Sequence, residues 1–115
     1  MLDYIRDGTE IYTKSFATIR AEADLSKLPP DLESVAVRLI HSCGMTDIVA
    51  DLAASPGAAT AGYNALTAGA PILCDSRMVA EGITRKRLPA DNPVICTLWH
   101  PEVPELALQI GNTRS

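Results

Sequence analysis

Between Asp7 and Ala23 the apolar positions Ile11, Tyr12, Phe16 and Ile19 recur at intervals of three and four, with Ser15 on the same stripe. That period predicts an amphipathic helix. Asp7-Gly8-Thr9-Glu10 supplies its start, because Asp7 or Thr9 can accept from the free amides of a first turn. A polar connector ending in Pro29-Pro30 follows. The proline pair stops one helix and sets the first turn of the next. A second helix is predicted from Asp31 to Cys43, with Gly44 in the left-handed position that closes it. Its core stripe reads as Leu32, Val35, Ala36, Leu39, Ile40 and Cys43, which places His41 on the opposite side, with Val37 and Arg38.

The middle of the chain is punctuated differently. Asp47 to Ala54 fits a short helix or a strand, and Ser55-Pro56-Gly57 marks a turn. A helix rich in Ala and Gly is predicted from Gly57 to Ala68, stopped at Gly69, with side chains small enough to lie close against a neighbour such as a sheet. Pro71 to Asp75 and Val94 to Leu98 are short, nearly continuous apolar runs, the pattern of strands covered on both faces. Between them a short helix from Ser76 to Glu81 leads into a loop from Gly82 to Asn92. Pro101 to Ile110 reads as a last helix with Leu106, Ala107 and Ile110 inward. The order strand, helix, strand, helix predicts an α/β fold with a parallel sheet.

At 115 residues the chain has the length of one domain, and 47% hydrophobic residues are enough to build a core without disulfides. The net charge of −4 argues against a nucleic-acid coat and against a polybasic membrane anchor. Five aromatic residues are too few for a base-stacking platform. No apolar run approaches membrane-spanning length, and Met1-Leu2-Asp3-Tyr4 lacks the pattern of a signal peptide. Cys43, Cys74 and Cys96 are three, widely spaced and set among small apolar residues. They read as reduced, buried thiols of a cytoplasmic protein, with no spacing that suits zinc.

Candidate chemistry gathers at the carboxyl ends of the two strands, where ligands collect in open parallel sheets. Those ends are Asp75-Ser76-Arg77 and Thr97-Leu98-Trp99. Thr84, Arg85, Lys86 and Arg87 form a basic cluster in an acidic chain, read either as an anion site or as a solvated loop. Asp75 reads as a catalytic carboxylate or as a cap for the helix behind it, and His100 as a surface residue. His41 is open between a solvated histidine at a helix end and a functional imidazole. No glycine-rich phosphate loop, nucleophile elbow or zinc-protease motif is present. The residues by themselves reach a small-molecule α/β protein with a possible anionic ligand.

Longer stretches carry a sharper signal. Asp3-Tyr4-Ile5-Arg6-Asp7-Gly8, Ser15-Phe16-Ala17-Thr18-Ile19-Arg20-Ala21-Glu22-Ala23-Asp24 and Arg38-Leu39-Ile40-His41-Ser42-Cys43-Gly44-Met45 occur in that order. They are followed by Gly69-Ala70-Pro71-Ile72-Leu73-Cys74-Asp75, Met78-Val79-Ala80-Glu81-Gly82-Ile83, Val94-Ile95-Cys96-Thr97-Leu98 and Ile110-Gly111-Asn112-Thr113-Arg114-Ser115. Together these blocks resemble the precorrin-8X methylmutase (precorrin isomerase) family of corrin biosynthesis, across almost the whole chain.

The resemblance implies a three-layer α/β/α domain with a mostly parallel sheet. It implies an isomerase that moves a methyl group from C-11 to C-12 of a tetrapyrrole to give hydrogenobyrinic acid in cobalamin biosynthesis. His41 then falls on the family's proton donor and acceptor, and Ser15, Thr84 and Arg114 on substrate contacts. For Ser15 the bland alternative is a hydroxyl bonded to the carbonyl four residues back. The methyl shift is formally a [1,5]-sigmatropic rearrangement, so the macrocycle supplies the orbitals and the protein supplies a proton and a cleft. An imidazole, with an ordinary pKa of about 6.5, gives and recovers a proton near neutrality. No metal or other cofactor is implied. The implied partners are the tetrapyrrole precorrin-8X, the product hydrogenobyrinic acid and a second copy of the chain, in the cytoplasm. Family members continue beyond the block that ends at Ser115, so the chain is expected to match an amino-terminal portion, with its sheet truncated at the carboxyl end. Two alternatives accompany this reading: a non-catalytic tetrapyrrole-binding fragment, and a cobalt-precorrin-8 methylmutase of the anaerobic route.

Overall fold

The computed structural model describes residues 2–115, and its internal contacts divide the chain into two compact units, Met1–Ala61 and Gly62–Ser115. In the first unit, helix α1 spans Gly8–Glu22 and is capped by Asp7, whose carboxylate accepts from the Glu10 amide at 2.8 Å. A 3-10 turn, Leu25–Lys27, follows, and there the Ser26 hydroxyl and amide hold the Asp24 carboxyl below the usual carboxylate range. Pro30–Leu32 forms another 3-10 turn that runs directly into helix α2, Glu33–Cys43. Gly44 closes α2 at φ 71°, with its amide donating to the Ile40 carbonyl. The segment that fitted either helix or strand is a 3-10 helix, Thr46–Asp51.

The core of this unit forms where α1 meets α2. Ile19, Val37 and Ile40 are buried together, with Phe16, Ala23, Leu25, Ile48 and Val49 packed around them. The stripe expected on α1 is therefore the one it uses. The stripe expected on α2 is not. Val35 and Leu39 remain 42% and 39% exposed, whereas Val37, placed on the outer side by the sequence pattern, is 1% exposed. Both candidate stripes share Ala36 and Ile40, so the pattern alone left the rotation of the helix open, and docking against α1 selects the face with Val37 and His41. Cys43 is exposed at the end of α2, contrary to the expectation of three buried thiols.

Helix α3, Ala58–Thr67, lies between two positive-φ glycines, Gly57 and Gly69. No residue of α3 is fully buried, so its small side chains do not mark a tight helix contact here. Its first turn is held by Asp31, whose carboxylate accepts from the amide and the hydroxyl of Thr60, each at 3.3 Å.

In the second unit, strand β1, Ile72–Cys74, pairs in parallel with strand β2, Val94–Cys96, in the register Ile72↔Val94, Leu73↔Ile95 and Cys74↔Cys96. The helix α4 that links them spans Arg77–Gly82 and packs on both strands, capped by the Ser76 hydroxyl. Parallel pairing around a crossover helix is the α/β arrangement expected. Cys74 and Ala80 are buried in this packing, while Leu73 is 77% exposed on the opposite strand face. Coverage on both faces, expected from the unbroken apolarity of the strands, is thus present on one face only among the described residues. Asn92 is the buried polar residue of the unit: its amide donates to the Leu66 and Ala70 carbonyls, each at 2.8 Å, and its oxygen accepts from Ala90. It pins the loop entering β2 to the loop entering β1. Helix α5, Val103–Ile110, ends at Gly111 and buries Ala107, but Leu106 and Ile110 are exposed rather than inward.

Candidate functional site

The facing sides of α1 and α2 build the most developed site in the chain. Tyr12, Ser15, Phe16 and Ile19 recur at three and four along α1 and so project in one direction. The last turn of α2 brings His41 onto that stripe, where the imidazole is half-buried. Tyr12 lies 4.9 Å from the imidazole, centroid to centroid and tilted by 35°, and Phe16 meets it edge-on at 5.3 Å and 88°. The Ser15 hydroxyl is 2.8 Å from His41 Nδ1. The ring is therefore fixed by two aromatic surfaces and one hydrogen bond. His41 does not face away from its helix's core stripe. It extends that stripe into a cleft.

The cleft has a volume of about 380 Å³, and its walls include Ile5, Ile11, Lys14, Ser15, His41 and Thr46. That lies at the small end of the range for small-molecule sites, and apolar walls with a few polar groups are the usual composition. The Ser15–His41 bond has a chemical consequence. A hydroxyl both donates and accepts, so it bonds Nδ1 whether or not that nitrogen carries the proton. A carboxylate partner would instead favour a protonated Nδ1. Nε2, which has no protein partner among the described residues, is left free to act as donor in one tautomer and acceptor in the other.

The alternative for Ser15, a bond to the carbonyl four residues back, is not formed; its partner is His41. Sequence reasoning missed the two flanking rings and Lys14. The rings were legible as a stripe but not as the walls of a histidine site. Lys14 sits next to Ser15 and lines the same cleft, with no carboxylate within 4.0 Å among the described residues.

The other two candidates belong to the second unit. Thr84 is exposed at the head of a 3-10 turn, Arg85–Arg87, and its side chain makes no capping bond. Arg85 reaches Glu81 at 3.7 Å, an exposed pair of little energetic weight. Arg114 is exposed beyond α5, with its guanidinium carbon 4.8 Å from the centroid of the Trp99 ring. Asp75 is exposed, and Ser76 rather than Asp75 caps α4. His100 is a surface residue in a polar turn, its Nδ1 accepting from the Glu102 amide at 3.4 Å.

Comparison with known proteins places the chain in a family. The family model described as precorrin-8X methylmutase matches residues 10–115. The chain is 67% identical over all 115 residues to the precorrin-8X methylmutase of Pseudomonas aeruginosa, covering 55% of that protein. It is 56% identical over 113 residues to the precorrin-8X methylmutase of a Sinorhizobium species, covering 54% of it. The chain thus spans about half the length of these curated relatives. Its structure superposes on the crystal structure of precorrin-8X methylmutase from Thermus thermophilus with a TM-score of 0.77 and 38% identity, covering 93% of this chain and 52% of the other. With a family model running through nearly every residue and a solved fold to match, the chain belongs to the precorrin-8X methylmutase family.

Proposed function

We propose that this protein acts as a precorrin-8X methylmutase, an isomerase that carries the C-11 methyl group of its tetrapyrrole to C-12 and releases hydrogenobyrinic acid. The observation that carries the reading is the imidazole of His41, held by Ser15 at 2.8 Å beside an open cleft, in a chain of this family. The 115 residues are read as one domain's sequence because a single family model runs through both units. The protein works in the cytoplasm as a homodimer, and no described helix is long and apolar enough to cross a membrane.

The rearrangement needs a proton given to the macrocycle and taken back. The imidazolium of His41 gives it from Nε2 and takes it back there, while Nδ1–H donates to the Ser15 hydroxyl throughout. Tyr12 and Phe16 keep the imidazole plane from turning, so little reorganisation accompanies the transfer. Lys14 at the cleft wall offers a cation to the carboxylates that fringe the ring, and the family resemblance assigns Arg114 and Thr84 to substrate contacts as well. The peripheral carboxylates keep their charge during the shift, so these contacts tighten binding without lowering the barrier.

His41→Gln tests the assignment while keeping a side chain between the two aromatic rings. Conversion of precorrin-8X, followed by the absorbance of the conjugated product, is expected to fall by more than about 100-fold, within the range for loss of a general acid–base group. Binding of hydrogenobyrinic acid is expected to be nearly retained. Turnover close to that of the unsubstituted protein would reject His41 as the proton donor.

A further inference from the structure

The carboxyl edge of the parallel strands carries a feature that neither His41 nor its cleft accounts for. Arg77 leaves the end of β1 as the first residue of α4, and Trp99 lies three residues past the end of β2. Parallel pairing of the two strands puts both at the same edge of the sheet, the edge at which α/β folds place ligands. Arg114 arrives there from beyond α5. The guanidinium carbon of Arg77 is 5.8 Å from the Trp99 ring centroid, and that of Arg114 is 4.8 Å from it. One exposed indole thus holds two cations.

Neither guanidinium has a carboxylate within 4.0 Å, or a hydrogen-bond acceptor, among the described residues. In a chain of net charge −4 that leaves two like charges on one ring without a counter-charge. A cation held on an exposed ring gains little from it, so the arrangement achieves little as a purely structural device. Its geometry suits an anion. A guanidinium stacked on an aromatic face keeps its in-plane N–H groups pointing outward, oriented for bidentate binding of a carboxylate.

We propose that Arg77, Arg114 and Trp99 form a carboxylate clamp that takes two neighbouring acid groups on the rim of the tetrapyrrole, with Trp99 as the shared platform. This rests on the methylmutase reading for the identity of the ligand, and it adds Arg77 and Trp99 to the residues that bind it. Arg77 is a binding residue here, not a catalytic one. Its loss therefore raises Kd and KM and leaves kcat at saturation unchanged.

Trp99 is the single tryptophan of the chain, so its emission reports on the clamp directly. Titration with hydrogenobyrinic acid is expected to quench it saturably, and Arg77→Gln is expected to weaken binding by about tenfold or more, as loss of a charged hydrogen-bonding partner does. Arg77→Lys, which keeps the charge but not the plane, should recover only part of the affinity. The fully esterified corrinoid should bind the unsubstituted protein and Arg77→Gln equally. Propane-1,2,3-tricarboxylate, which carries no chromophore, should shift Trp99 emission in the unsubstituted protein and not in Arg77→Gln. Equal affinity of the two proteins for hydrogenobyrinic acid would overturn the clamp and leave the methylmutase reading standing. If the acid fails to bind while the tricarboxylate response still depends on Arg77, the clamp stands and the methylmutase reading falls. Failure of both ligands to alter the emission would overturn the clamp itself.

Discussion

Ser15 shows how much one hydroxyl decides. Its position on the α1 stripe was compatible with a bond to its own helix, but the 2.8 Å contact to His41 makes it the residue that orients the imidazole. Ser15→Ala is expected to lower kcat by about tenfold through loss of that orientation, with KM changed less. Ser15→Thr, which restores a hydroxyl, should recover much of the rate. A rise in KM at constant kcat would instead make Ser15 a direct substrate contact. The position of this site was legible in the words around Ser15 and His41. Its geometry was not, because a hydrogen bond between residues 26 apart depends on how two helices dock, which no local pattern encodes.

Helix ends were the most legible elements, since their signals are local. Asp7, one of two candidates beside Thr9, caps α1, and Gly44 and Gly111 close α2 and α5 in left-handed geometry, where the residue type alone places a boundary. Gly44 matters most, because it ends the turn that carries His41. A Cβ added there meets nothing within 4 Å, so the cost of substitution is backbone strain rather than collision. Gly44→Ala should lower unfolding stability by about 1–2 kcal/mol, and Gly44→Asn by less, since asparagine tolerates this region. Chemical denaturation compares the two, and an unchanged midpoint for Gly44→Ala would show that the left-handed turn is not required. The faces of the helices were less legible than their ends. On α2 two overlapping apolar stripes compete, and on α5 Leu106 and Ile110 follow a helical period yet stay in solvent. Periodicity shows that a face is apolar; only a packed neighbour makes it a core.

Across the whole chain, apolar surface is left uncovered in quantity. Leu73, Leu108 and Ile110 are 77%, 83% and 71% exposed, and Trp99 and Tyr63 are exposed as well. Large apolar side chains exposed in this number favour association. Sedimentation equilibrium on the 115-residue chain is expected to give a mass above 12.3 kDa that increases with concentration. A single species of 12.3 kDa with a cooperative thermal transition would reject both the association and the proposed homodimer.

What the sequence determined by itself was the order of elements, most of their limits, the parallel pairing implied by strand–helix–strand order, and the family, whose blocks run in order along the chain. These follow from short-range properties: capping groups, glycine's access to positive φ, side-chain period, and words of adjacent residues. Tertiary structure decided which side of α2 is buried, that Ser15 bonds His41 rather than its own helix, and that Arg77 and Arg114 meet at one indole. Each of those is a contact between residues far apart in the chain. The free energy that selects it comes from apolar area and hydrogen bonds shared by two elements at once, a quantity that neither element's sequence contains.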